Sequence, residues 1–365
     1  MPVSVQHLNA DTTFLITCTS ETSFSGHGGE QPHKFTILVD PWLAGSSSIW
    51  MPRFQISHHT SDPHITSLRH LPLPDIILIS QDKPDHCHEE TLRTLPANTF
   101  IHIVAVPAAA KKIKSWRHFT NATISVINPY RVRNPETVLR IPLQSKDMHG
   151  VPGEVTLSYI PQSYDMTNLH NAVGITYSQP CSQPLDGYGK PITLPISPPM
   201  TPVLSRTDLD PQPREPVVAS NIFPASVNPP VSILYTPHGI GIPCITPYMN
   251  HFLAPLNALP LILLFHAINV EQNPWFLGGL VATGLPGGME LVKRFGAKYW
   301  ISAHDEAKDN RGWATLMIKS TQYTMEEAQI LCDDEVERWE ESQGRNGEGV
   351  GPRLVSLAVG QEMYV

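Results

Sequence analysis

The first half of the chain alternates short apolar runs with turns. Residues 13–17 and 35–39 are β-branched and apolar, and they predict strands. Ile76-Ile77-Leu78-Ile79 is a continuous apolar run of the kind buried on both faces of a sheet. A polar loop over 81–87 follows it, then a helix-like segment over 88–95, a strand over 101–106 and a helix over 107–118. Residues 155–160 and 173–177 predict a strand pair. Regular patterning resumes with a strand over 231–235. Residues 261–266 fit either a strand or the start of a buried helix. A helix over 287–295, a strand over 298–302 and an acidic helix over 324–343 complete the pattern. Strands followed by crossover helices, twice over, predict an α/β fold: a four-layer αββα sandwich built as one domain over 1–365.

Composition changes this picture in one place. The chain has 365 residues and 36 prolines, about twice the usual share. About a dozen of them fall between 178 and 230, which excludes a regular core element. This stretch reads as a long Pro-rich inserted loop whose ends lie between two strands of one sheet, so it is either a lid or a passive insertion.

Charge and cysteine usage exclude several partners. A formal charge of −8 and the absence of a basic stripe argue against nucleic acid. Lys111, Lys112 and Lys114 read as a solvated helix face. The five cysteines, Cys18, Cys87, Cys181, Cys244 and Cys332, are odd in number and widely spaced, which speaks against a disulfide framework or a zinc knuckle and fits a reducing compartment. Residues 253–265 are too short and too broken by proline to span a bilayer. The N-terminal residues show no secretory signal. A cytoplasmic location and a small-molecule partner are the expectation.

The chemistry concentrates in Ser80-Gln81-Asp82-Lys83-Pro84-Asp85-His86, between a buried strand and a helix start. This layout resembles the metal loop of the metallo-β-lactamase-fold family, written Ser/Thr-His-x-His-x-Asp-His. The segments His7–Thr12, Val39–Leu43 and His304-Asp305-Glu306 are similar to other family segments. The resemblance is to a degenerate fungal branch of secondary-metabolism type. It places Gln81 and Lys83 where two metal-binding histidines belong. An ammonium about 4 Å from a divalent ion is repelled by roughly 8 kcal/mol at an effective dielectric of ~20. The family's middle histidine falls in Pro161–Asp165, which has none, and its bridging aspartate falls in Thr236-Pro237-His238-Gly239, which has no carboxylate.

The expected site follows. Lys83, Asp85, His86, His238 and His304 are the candidate catalytic residues, and Gln81, Tyr164, Asp165 and Asp305 the candidate substrate contacts. No metal cofactor is expected, or else a single zinc, manganese or iron ion on Asp85, His86 and His304. The expected function is a non-hydrolytic cyclisation, isomerisation or elimination of an apolar secondary metabolite, a polyketide or terpenoid. The alternatives are a single-metal hydrolase of an ester, lactone or thioester, and a non-catalytic metabolite-binding protein. His88, beside Glu89 and Glu90, is expected at the surface; the alternative to a site role for Asp85-His86 is a loop anchor in which Asp85 caps the following helix. Gly278-Gly279 and Gly287-Gly288 read as tight turns, and Ser46–Ser48 as a loop without a nucleophile elbow.

Overall fold

The structure is a computed structural model, and it describes residues 3–20, 34–145, 151–180, 229–344 and 351–365. Two seven-stranded sheets form its centre. In the first, Lys34–Val39, Ile76–Ile79, His102–Ala105 and Thr123–Val126 run parallel, and Phe14–Thr19, Val3–His7 and Glu362–Tyr364 extend it antiparallel. In the second, Val231–Tyr235, Leu261–His266, Ala297–Ser302 and Arg353–Val355 run parallel. Asn171–Ser178, Gly153–Pro161 and Val138–Leu143 extend it antiparallel.

The side-chain period of two explains why both sheets are buried on both faces. Ile37, Val39, Ile76 and Leu78 meet Ile175, Ile233, Tyr235 and Phe265 in the core between the sheets. Their neighbours Leu38, Ile77 and Ile79 turn outward onto α1 (Glu89–Leu92) and α2 (Pro107–Ser115). On the far side, Leu234, Leu264 and Trp300 pack against α3 (Ile242–Tyr248), α4 (Gly284–Phe295) and α5 (Met325–Ser342). The order is helix, sheet, sheet, helix, as the pattern predicts.

Several local expectations change. The 261–266 run is a strand, paired on both sides. α1 has only four residues. His88 is buried, not exposed: it is the N-cap of α1, and its Nδ1 accepts from Thr91 N. Asp85 therefore does not cap that helix. Ser46–Ile49 is a strand of a small sheet with Gln55–His58 and Asp309–Arg311. Gly278 and Gly279 do lie in a turn at positive φ. Gly287 and Gly288 lie inside α4 instead. A Cβ on Gly288 would collide with the Trp300 ring. The 178–230 insertion joins two paired strands; residues 181–228, and with them Cys181, lie outside the described residues. No helix among the described residues is long and apolar enough to cross a membrane.

Two predictions follow from this packing. Gly288→Ala forces α4 away from Trp300 and should cost about 1–3 kcal/mol, the usual range for overpacking, read as a lower urea midpoint at unchanged m-value. The second concerns His266, fully buried at a strand end, its Nδ1 against Ala267 O at 2.7 Å and its Nε2 against Thr283 Oγ1 at 3.1 Å. Burial lowers its pKa to about 4. The unfolded chain takes up this proton near pH 6.5 and the folded chain does not until about pH 4. Stability from this group is therefore complete above pH 6.5 and is lost as pH falls towards 4, at about 1.4 kcal/mol per unit. Unfolding measured between pH 7 and 4 should show a shallower acid slope in His266→Gln than in the wild type.

Candidate functional site

The site forms where the strands of both sheets end. His86 comes from the loop after Ile76–Ile79, His238 from the turn after Val231–Tyr235, and His304 from the turn after Ala297–Ser302. Local chemistry sets each turn. His86 N and Cys87 N both donate to Lys83 O, which tightens the first loop. Gly239, at φ 95°, closes the second by donating to Thr236 O at 3.0 Å. His304 itself sits at φ 70° and Asp40 at φ 42°, a region that non-glycine residues occupy rarely and that is enriched at functional sites.

The three imidazoles converge. Their rings are 4.3–5.5 Å apart by centroid, and one nitrogen from each lies within 4.8 Å of the others. His86 Nε2 and His238 Nε2 are 3.1 Å apart. Each Nδ1 faces an outer acceptor: Asp40 Oδ2 at 2.7 Å for His86, Val281 O at 3.0 Å for His238, and Asp11 Oδ1 at 2.9 Å for His304. For His86 and His238, an Nδ1–H donated outward leaves Nε2 with a lone pair; His304 Nδ1 lies between Asp11 Oδ1 and Lys308 Nζ, each at 2.9 Å. A histidine bound to a metal is almost always held this way.

The outer shell is itself fixed. Asp40 is fully buried; it accepts from Ser80 N at 2.7 Å, from the Ser80 hydroxyl and from Tyr235 OH at 2.9 Å. Burial and the Asp40 charge push the Tyr235 phenol well up, so it stays a donor. Asp11 is placed by Asn9, whose side chain accepts from Asp11 N and Thr13 N. Lys308 Nζ donates to Asp11 Oδ2 at 2.9 Å and lies 2.9 Å from His304 Nδ1. Burial alone would raise the Asp11 carboxyl, but the charges of His304 and Lys308 hold it well below its ordinary value.

Asp85 stands at the edge of this cluster, its Oδ2 3.9 Å from His304 Nε2. Burial opposes its ionisation; His86, Lys308 and His304 outweigh it and lower its pKa. Burial likewise disfavours charge on His86, but Asp85 and Asp40 reverse this and raise its pKa. His238 has no such partner: burial, then His304 and His86, push it well down.

Among the expected site residues, then, His86, His238 and His304 meet, with Asp85 beside them. The grouping differs in one member from the single-ion set expected from the resemblance, Asp85, His86 and His304. The imidazole of His238 completes the three-histidine group, and Asp85 groups instead with Asp11 and His304. These donors could hold a single cation, the second of the two expectations. Two nitrogens bound at 2.0–2.1 Å to one tetrahedral zinc stand about 3.3 Å apart, close to the observed 3.1 Å.

The other expected residues lie around the group. Gln81 is buried, its Nε2 donating to Leu169 O. Lys83 is partly exposed and pairs with Asp82 at 3.4 Å. Tyr164 is fully exposed. Asp165 braces its own loop by accepting from Thr167, Leu169 and His170. Asp305 accepts from Ile268 N, Asn269 N and Ser302 Oγ, which turns it toward backbone; burial still raises its pKa to about 6. Sequence reasoning missed Asp11, Asp40, Tyr235 and Lys308. The first two lay within the segments His7–Thr12 and Val39–Leu43, where a carboxylate just past a strand was the available signal. Lys308 gave none.

Residues 17–150 match the Beta-lactamase superfamily domain. Comparison with curated proteins gives no match. Among solved structures, the chain is similar to the isothiocyanate hydrolase from Delia radicum gut bacteria, at 12% identity and TM-score 0.48 over 99% of this chain and 98% of that one. It is similar to a possible metal-dependent hydrolase from Veillonella parvula DSM 2008, at 10% identity and TM-score 0.48 over 100% of both chains. A third is the metallo-beta-lactamase fold protein YhfI from Bacillus subtilis, at 9% identity and TM-score 0.45 over 99% of this chain and 98% of that one. The described residues form a mixed α/β sandwich, and segment 17–150 is similar to the Beta-lactamase superfamily domain.

Proposed function

We propose that this chain is a metal-dependent hydrolase that uses one divalent ion, held by His86, His238 and His304, to open an ester, lactone or thioester of an apolar small molecule. One observation carries the reading. Two buried Nε2 atoms face each other at 3.1 Å while every Nδ1 of the triad is committed to an outer acceptor. Two lone pairs at that distance repel unless a cation or a proton lies between them. Gln81 and Lys83, in place of two further imidazoles, favour one ion over two.

A divalent ion bound there supplies Lewis acidity to a carbonyl oxygen and lowers the pKa of water. The protein's own groups do the rest. Asp40 and Val281 O fix the tautomers of His86 and His238, and Asp11 with Lys308 holds the ring of His304 in place. Asp85 keeps an ionised carboxylate beside them, able to accept a hydrogen bond from the attacking group. Apolar substrate is supported by Tyr164, Met166, Trp275 and Phe276, all exposed. They lie on two loops that approach each other where Thr167 meets Gly278.

The same pair favours one second reading. With a proton in place of the ion, His86 is the donor and His238 the acceptor, a buried acid–base pair suited to cyclisation, isomerisation or elimination.

Elemental analysis separates these readings. After loading with zinc, manganese or iron, the wild type should retain close to one equivalent. His238→Ala and His304→Ala should lose most of it, Lys83→Ala should keep it, and chelation should abolish aryl-ester hydrolysis. Two equivalents would sink the single-ion reading; turnover indifferent to chelation would move the assignment to proton transfer. A further variant tests the outer shell. Asp40→Asn can turn an amide N–H toward the Nδ1–H of His86, so zinc affinity should fall by about 10–100-fold, measured by competition with a chromogenic chelator.

A further inference from the structure

Lys308 is a buried cation beside the triad. Its side chain is 9% exposed; Nζ donates to Asp11 Oδ2 at 2.9 Å and lies 2.9 Å from His304 Nδ1. The ammonium also stands over the ring of Trp42, 5.7 Å from its centroid, where the face of the indole attracts positive charge. Trp42 is fully buried, so this wall is fixed. Burial disfavours a charge on Lys308, but the charges of Asp11 and Asp85 outweigh it and raise its pKa. Lys83, by contrast, is partly exposed and pairs with Asp82.

The position of Lys308 overlaps a second group of donors. Asp11, Asp85 and His304 each bring one ligand atom within 4.8 Å of the others, a spacing that could hold an ion next to the triad. Two of these three residues are the ones that Lys308 contacts. Asp11 has no oxygen to spare: Oδ2 accepts from Lys308, and Oδ1 faces His304 Nδ1 at 2.9 Å. A divalent ion drawing on the same carboxylate and the same imidazole would share them with an ammonium, in like-charge repulsion. The balance of charge agrees. The carboxylates whose charges reach His86 include Asp85, Asp40 and Asp11. One divalent ion and one ammonium match these three. A second divalent ion would leave uncompensated positive charge in a buried place, which is costly.

We propose that Lys308 serves as a built-in second cation: its ammonium occupies the Asp11 and His304 side of the cluster and limits the site to one metal ion. The inference rests on the reading of the triad as a metal site, and it names the residue that sets the ion count there. Lys308 is a positioning residue, acting through Asp11 and His304.

Zinc uptake by the full chain, measured by elemental analysis after dialysis against zinc alone, tests this. The wild type should hold one equivalent even in excess zinc. Lys308→Met should take up two, because it releases Asp11 and His304 Nδ1. Lys308→Arg keeps the charge and should stay at one. Adding Asp11→Asn to Lys308→Met should return the count to one, which locates the second ion. A Lys308→Met protein that is folded by near-UV circular dichroism yet holds one equivalent overturns the proposal, and so does a wild type that holds two. Should Lys308→Met not fold, the wild type decides by NMR of its lysine ammonium groups. The signal that Lys308→Arg removes should persist on zinc loading and keep its contact with the His304 ring; loss of that contact overturns the proposal. If the wild type takes up no zinc while Lys308→Met takes up one, the barrier stands and the metal reading of the triad fails. If neither takes up zinc, both fall.

Discussion

Two imidazole nitrogens that both carry lone pairs cannot lie 3.1 Å apart in a dry interior without something positive between them. Asp40 takes the Nδ1 proton of His86 and Val281 O takes that of His238, so neither ring can relieve the contact by changing tautomer. The contact is the point on which the surrounding structure turns. Tyr235 and Ser80 hold Asp40, Asn9 holds Asp11, and Lys308 neutralises Asp11 while touching His304. Each outer group removes one degree of freedom from a ring. Together they present three donors to one place.

The sandwich makes this possible by ending strands from both sheets at the same rim. His86 follows a parallel strand of the first sheet; His238 and His304 follow parallel strands of the second. Close packing of Ile37, Leu78, Tyr235 and Phe265 between the sheets fixes the distance across that rim. Left-handed backbone at Asp40 and His304 is tolerated there because the hydrogen bonds of both side chains repay it. The loop 162–170 and the turn 274–279 approach each other where Gly278 meets Thr167, and both carry exposed aromatic side chains.

Residues close in sequence were readable in proportion to how much their chemistry is local. Ile76–Ile79 announces a doubly buried strand by itself, and Asp85-His86 after it announces a site loop. His238 was legible as a turn histidine because Pro237 and Gly239 punctuate the chain around it. His88 was misread because its neighbours Glu89 and Glu90 are polar; its burial comes from Ser46 O and Thr91, which the sequence does not place beside it. Gly288 was misread as a turn because what excludes a side chain there is the Trp300 ring, on another element, while at Gly287 it is Thr283, at the start of the same helix.

From the sequence alone came the α/β sandwich, the strand and helix periodicities, and the substitution of Gln81 and Lys83 for two imidazoles. These depend on side-chain period and on residue identity in one loop, which are properties of neighbouring positions. Only the tertiary structure decided that His86, His238 and His304 share one point, that Asp11, Asp40 and Lys308 stand behind them, and that His238 rather than Asp85 completes the three-nitrogen group. The reason is distance: the contact joining His86 to His238 spans 152 positions, and that joining Asp11 to His304 spans 293. No local pattern encodes such a separation, which is set only when the two sheets close on their common core.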